Sequence, residues 1–469
     1  MKTQYLIFFL MLICTQTYCQ VKFVIEIFRN AVSTPSRLDE NNIDILGEKW
    51  IKPSVVTLQG IKDQYEIGAR LRRHYINRLG FLSENFTESE VNILTIDVNK
   101  NILTTNVQLM GMWPAPNSPR LNQDNLKYAT SNFDLHNSEE VYRKLGFSPL
   151  PGGASVFPIK TFAPENNYFE LTDENNCVGI KKIVQQNINK PVVKDFVKQF
   201  KERYSSHFEK QLNVTASFLE NRNNLWNLCS SYIAGFSDGR SFKKLNITDK
   251  GSVNSTGLLK DCKKFKEISI FEIKFGDEKK DVVRLVTSNL VIRLIGYLDN
   301  VIAAERSLLP HTKMLMLNAD YSDITSLLLY TKMAFSSINV PYPGYSSISI
   351  LELVKNRDTP KFNATEEHYT VNIFFNDKVL ASINYALFKQ NLLQLTMDGD
   401  AVSDFCGFTD YSTLYFKLAA LLLMIASFAI GAYILHLWRQ MHLVEAEIYK
   451  KEDSEINLNK KLINNEEVQ

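Results

Sequence analysis

The chain of 469 residues carries 53 Lys and Arg against 51 Asp and Glu, a formal net charge of +2, with 45% hydrophobic and 22% charged residues. That length holds one large domain or two to three ordinary ones. The near-neutral balance excludes a globally basic nucleic-acid binder and an acidic solvating chain. Aromatic residues at 11% exclude wholesale disorder.

Met1-Lys2, an apolar run from Tyr5 to Ile13 and small or polar residues up to Cys19 read as a signal peptide over 1–19, too short to span a bilayer. The β-branched run Val21 to Phe28 reads as a buried strand, followed by a loop from Arg29 to Pro35. Apolar residues at helical spacing (Ile61, Tyr65, Leu71, Tyr75) predict a helix over Thr57 to Arg78. Val91 to Val98 is a second strand and Asn101 to Met112 a second helix. This alternation predicts an α/β layer with a mostly parallel sheet. From 117 to 263 the chain turns Asn-rich, with helical patterns at Val193 to Leu212 and Ala216 to Gly235, the composition of a mainly helical cap or insertion.

The α/β rhythm resumes at Ile268 to Phe275. It continues through a helix over Val282 to Arg306, a strand over Met314 to Leu317 and a helix over Ile324 to Phe335, then strand-like stretches at Tyr345 to Val354 and Tyr369 to Tyr385. The expected organisation is an α/β domain from 20–116 and 264–410 with the 117–263 segment inserted. Leu418 to Trp438 has no charged residue, and about 21 residues at 1.5 Å each match the roughly 30 Å hydrocarbon core. Tyr411, Tyr415 and Trp438 sit at interfacial positions, acidic residues precede the span, and Arg439, Lys450 and Lys451 follow it. These features predict a single-pass type I membrane protein with a cytoplasmic tail over 439–469 and an ectodomain that is luminal or extracellular.

Beyond the leader, Cys177, Cys229, Cys262 and Cys406 suit two disulfides in an oxidising compartment, with three connectivities open. Sequons at Asn85, Asn213, Asn246, Asn254 and Asn363 all fall on the luminal side. No spacing of Cys, His or carboxylates reads as a metal site, and nothing in the sequence asks for a cofactor.

The stretch KFVIEIFRNAVSTP resembles the strand-and-loop signature of the histidine acid phosphatases, Arg-His-Gly-X-Arg-X-Pro, with Arg29 and Pro35 matching. Further blocks keep that family's order. They are the segment with Gly60, Gln64, Gly68, Leu71, Arg72 and Tyr75, the segment with Asp97, Gly111 and Pro114, FPIKTF, and KMLMLNADYSDITSLLL. The resemblance implies a large α/β domain with a mixed, mostly parallel sheet and a smaller helical cap domain. It also implies a homodimer, the pairing of Cys177 with Cys406, and Cys229 with Cys262 as the remaining pair.

The implied family reaction attacks phosphate with a histidine, holds it with arginines and a second histidine, and protonates the leaving group with an Asp. Here Asn30 stands at the nucleophile, Ser33 and Lys100 at two arginines, Asp320 at the second histidine and Tyr321 at the acid; only Arg29 is identical. A carboxamide offers no nucleophilic lone pair, Lys lacks the bidentate fork, and Tyr is a poor acid below its pKa near 10. The sequence therefore predicts a catalytically degenerate, pseudophosphatase ectodomain that acts by binding or display, with Arg29 and Lys100 as residues for phosphate or another anion. The alternative is an active acid phosphomonoesterase with an altered mechanism in a lysosome-like or surface compartment. His74, His136, His207, His311 and His368 read as solvated or structural.

Overall fold

The computed structural model describes residues 20–35, 54–115, 150, 153–162, 176–212, 216–240, 253–307, 309–356, 364–407 and 411–466. The expected leader, His136 and the sequons at Asn213, Asn246 and Asn363 lie outside them. The described chain forms two compact units, one ending at Cys406 and one beginning at Gly407.

The first unit is built on seven strands: β1 (Gln20–Arg29), β2 (Val91–Ile96), β3 (Lys160–Phe162), β4 (Met314–Ala319), β5 (Ile348–Lys355), β6 (Tyr369–Phe375) and β7 (Lys378–Asn384). Their order across the sheet is β3-β2-β4-β1-β5-β6-β7. Pairing is parallel from β3 to β1 and antiparallel from β1 to β7, so the sheet is mixed. Its parallel share is one half, smaller than the pattern suggested, because Tyr369 to Tyr385 is a hairpin rather than one strand. Asn376 and Asp377 both take positive φ, 44° and 66°, the backbone a tight hairpin needs.

β1 is central and buried on both faces, which explains why its sequence is mostly apolar, with Glu26 the buried exception on one face. Val24 and Phe28 pack with Met314 and Met316 against α1 (Leu58–Leu71, continued by a wide turn over Arg72–Arg78) and α2 (Asn99–Met112). On the other face Ile25 and Ile27, with Leu315 and Leu317, meet the apolar side of α7 (Asp281–Ser307) and α8 (Tyr321–Ala334). Gly68 and Gly111 let α1 and α2 touch through their backbones: a Cβ at Gly68 would run into the Gln108 carbonyl, and one at Gly111 into that of Tyr65.

The intervening helices are α3 (Val178–Asn187), α4 (Pro191–Leu212), α5 (Arg222–Ser237) and α6 (Ser255–Ile268). Phe200, Tyr204, Leu225, Leu228, Tyr232, Leu258 and Phe265 form an apolar cluster of their own. Cys229 and Cys262 are disulfide-bonded and join α5 to α6; Cys177 is bonded to Cys406. The run Ile268 to Phe275 is not a strand. α6 continues through it as a wide helical turn over Ser269–Lys274, packed on α3, whose end donates from Asn187 Nδ2 to the Ile273 carbonyl at 3.0 Å. Its apolar positions fit either period, and attachment to α6 decides for helix. Two helices, α9 (Tyr385–Leu393) and α10 (Gly399–Cys406), close the unit.

The second unit is one helix, α11 (Tyr411–Glu466), containing the uncharged 418–438 segment. Its apolar side chains are exposed, whereas α7, the other long apolar helix, is mostly buried. A C-terminal apolar helix of this length suggests membrane anchoring.

Candidate functional site

Parallel strands in an open sheet leave a crevice beyond their carboxyl ends, where the chain turns into helices on opposite faces. β1 and β4 are in register with Arg29 opposite Ala319, so the next residues, Asn30 and Asp320, leave adjacent strands side by side. Lys100 enters from the first turn of α2, just after β2. All six positions singled out by sequence, Arg29, Asn30, Ser33, Lys100, Asp320 and Tyr321, line one cleft of about 960 Å³.

The loop after β1 is fixed by its backbone. Arg29 N donates to Ser347 O at 2.8 Å, Ala31 N to Thr104 Oγ1 at 3.2 Å, Thr34 N to Val55 O at 2.8 Å and Thr57 N to Val32 O at 2.9 Å. Gly60 lies so near Val32 that a Cβ would run into its carbonyl.

Arg29 is 8% exposed. Its Nη1 donates to Pro343 O at 2.7 Å, and the guanidinium lies 4.3 Å from the Tyr345 ring centre and 5.2 Å from that of Tyr321. Burial works against its charge, but Tyr342, Tyr345, Asp320 and Tyr321 outweigh it and hold the pKa above the usual arginine value. Nε is buried without a hydrogen-bond partner, which is costly for a charged donor. Asn30 is 2% exposed; its Nδ2 donates at 3.4 Å to Ala31 O and Ser33 Oγ, and its Oδ1 has no partner. Asp320 is the N-cap of α8 in a capping box, with its backbone N–H donating to Asp323 Oδ2 at 2.8 Å. Burial pushes the phenols of Tyr342 and Tyr345 up, so both stay neutral.

Sequence reasoning missed the opposite wall. Trp226 and Ser230 on α5 and Lys263 and Lys266 on α6 line the same cleft. Lys266 is 6% exposed, its Nζ donating to Ser230 Oγ and lying 3.0 Å from the Trp226 ring centre. Burial, then the nearby Arg29 charge, push its pKa well below the usual lysine value against a smaller upward pull from Asp320. The only sequence signal was helical spacing: Ser230 follows Cys229 by one residue, and Lys266 follows Cys262 by one turn.

None of the described histidines lines the cleft. His74 Nε2 lies 3.8 Å from Glu352 Oε1, His207 packs beside Phe208, His311 Nδ1 is 3.5 Å from Leu309 O, and His368 Nδ1 accepts from Thr365 N at 3.0 Å. Among the described residues no group of three or more His, Cys, Asp or Glu is placed to hold a metal.

No family model matches the chain. A 97-residue stretch is 27% identical to lysosomal acid phosphatase of Xenopus laevis, covering 20% of this chain and 22% of that protein. Thus the match spans about a fifth of the relative's length. The fold is similar over far more of the chain: 82% of it superposes on 99% of the phytase from Citrobacter braakii, with a TM-score of 0.52 and 10% identity. Hafnia alvei phytase in complex with myo-inositol hexakis sulphate matches with the same coverage, TM-score and identity.

The chain has the histidine acid phosphatase fold.

Within that fold, matched motif positions away from the cleft have visible packing roles. Gly60, Gly68 and Gly111 sit at close backbone approaches, Gln64 donates to Gln108, and the Tyr75 hydroxyl donates to Glu352 Oε1 at 2.7 Å.

Proposed function

We propose that this chain is a type I membrane glycoprotein whose histidine acid phosphatase-like ectodomain has lost the family reaction and binds an anion in the inherited cleft. The observation that carries this reading is Asn30 at the end of β1, where the family resemblance places the nucleophilic histidine, in a cleft lined by no described histidine. A carboxamide cannot form the phosphoenzyme that a neutral imidazole forms. A phenol, which Tyr321 puts at the acid position, is ordinarily a weak acid with a pKa near 10, which leaves the departing alkoxide without a strong acid. Anion binding, by contrast, needs only cationic donors, and Arg29 and Lys100 both line the cleft.

The Hafnia alvei phytase, of like fold, is described in complex with a polyanion. Sequons support the glycoprotein reading: Asn85 and Asn254 are both exposed, and Asn254 caps α6 through Oδ1, leaving Nδ2 available for a glycan. The leader, the acidic flank before 418–438 and the basic flank after it support a luminal or extracellular ectodomain.

A phosphate-release assay between about pH 4 and pH 8, on the purified protein, the Asn30→His variant and a mock preparation, tests the loss of catalysis. No release above mock by the folded protein is expected. Release that disappears with Arg29→Met would overturn the reading and establish an active phosphomonoesterase with a new nucleophile.

A further inference from the structure

The cleft has two walls. The sheet wall carries Arg29, and the helical wall, from α5 and α6, carries Lys266. They meet through aromatic rings: Lys266 Nζ sits against Trp226, whose ring centre is 5.7 Å from that of Tyr321, which in turn flanks the Arg29 guanidinium. Lys266 is held there by construction. The Cys229–Cys262 disulfide clamps α5 to α6 immediately beside Ser230 and one turn before Lys266, so the hydrogen-bonding pair is set by a covalent link. An ammonium has three donors; Ser230 takes one. Arg29 lines the same cleft from the sheet wall. Two largely buried basic side chains on one cleft form a receptor for a compact oxyanion.

We infer that Lys266 is an anion-binding residue of this cleft, completing with Arg29 a site for a tetrahedral oxyanion of the phosphate or phosphomonoester type. This rests on the reading of the cleft as an anion site and adds a residue outside every motif that pointed to it. Burial and then the Arg29 cation oppose charge at Lys266, and the smaller pull of Asp320 favours it. The other charged groups lining the cleft are Lys100 from α2, Asp63 from α1, and Lys263 and Glu267 from α6 itself. A dianion beside Lys266 reverses that balance and stabilises the ammonium, so binding draws a proton from solvent and tightens as pH falls.

The test is titration calorimetry on the full chain in detergent micelles, with inorganic sulfate, inorganic phosphate and glycerol 3-phosphate, at about pH 5.5 and pH 7.5. Each pH is run in two buffers of different ionisation enthalpy. Sulfate stays dianionic throughout, so its proton uptake reports the protein; the phosphate and glycerol 3-phosphate arms separate a free ion from an ester. Wild type is expected to bind with proton uptake, and Lys266→Met to weaken binding at least tenfold and remove the buffer dependence. A second measurement needs no variant: acetic anhydride labelling of Lys266, read by peptide mass spectrometry, is expected to fall when phosphate is present. Unchanged affinity in Lys266→Met together with undiminished labelling overturns this inference while leaving the anion site intact, provided Arg29→Met abolishes binding. No heat from any of the three oxyanions with wild type overturns both.

Discussion

Glu26 offers a test of the sheet that carries the site. It lies in β1 with no exposed surface; its Oε1 accepts from Gln108 Nε2 at 2.5 Å, and its Oε2 has no partner. Burial pushes this carboxyl up to about 8 from an ordinary 4.5, against a smaller downward pull from Gln108. Because the folded state holds the proton more tightly than the unfolded chain, the stability Glu26 contributes is complete below about pH 4.5. It is then lost as pH rises toward about 8. At pH 7 the loss is about 3 kcal/mol, at 1.36 kcal/mol for each unit between the unfolded pKa and the solution. Glu26→Gln keeps the shape and the acceptor for Gln108 but removes the titration.

Urea unfolding of the full chain in detergent, followed by tryptophan fluorescence between about pH 4.5 and pH 8, measures this directly. The two proteins are expected to be nearly equal at the acid end. The Gln variant should become more stable by up to about 3 kcal/mol at pH 7. Parallel loss of stability in both proteins across that window would refute the assignment of a protonated, buried Glu26.

Three further outcomes follow from the packing. Gly68→Ala forces a methyl into the Gln108 carbonyl and is expected to destabilise the unit by about 1–3 kcal/mol, seen as a lower urea midpoint. Replacing Cys229 and Cys262 together with Ser opens a link between residues 33 apart; chain entropy puts the loss at about 4 kcal/mol, and hydrogen exchange should rise in α5 and α6 well before β1. Asn85→Gln and Asn254→Gln should each lower the apparent mass of the protein expressed in a secretory host by one glycan, with no shift after glycosidase treatment. A variant that migrates as wild type would remove that sequon from the glycoprotein reading.

Much of the architecture was legible because the central elements carry unambiguous patterns. A strand buried on both faces is apolar along most of its length, as Val21 to Phe28 is apart from Lys22 and Glu26. A helix lying on a sheet must repeat its apolar residues every three to four positions, as Ile61 to Tyr75 does. The motif glycines Gly60, Gly68 and Gly111 stood out only through the family resemblance; that they mark places where two backbones touch is visible in the structure. The run Ile268 to Phe275 and the hairpin within Tyr369 to Tyr385 were not legible, because a short apolar alternation fits several periods until its neighbours choose one.

By itself the sequence determined the α/β alternation and the apolar C-terminal helix, since each depends only on residue types and their local spacing; Asn30 stood out only through the resemblance to the histidine acid phosphatases. Tertiary structure alone decided that Lys266 and Arg29 line one cleft. They are 237 positions apart in the chain, on elements with different patterns, and share that cleft because β1 beside β4 builds one wall and α5 and α6, joined by a disulfide, build another. Charge at a buried site is a property of that assembled environment, so no reading of single segments could have found it.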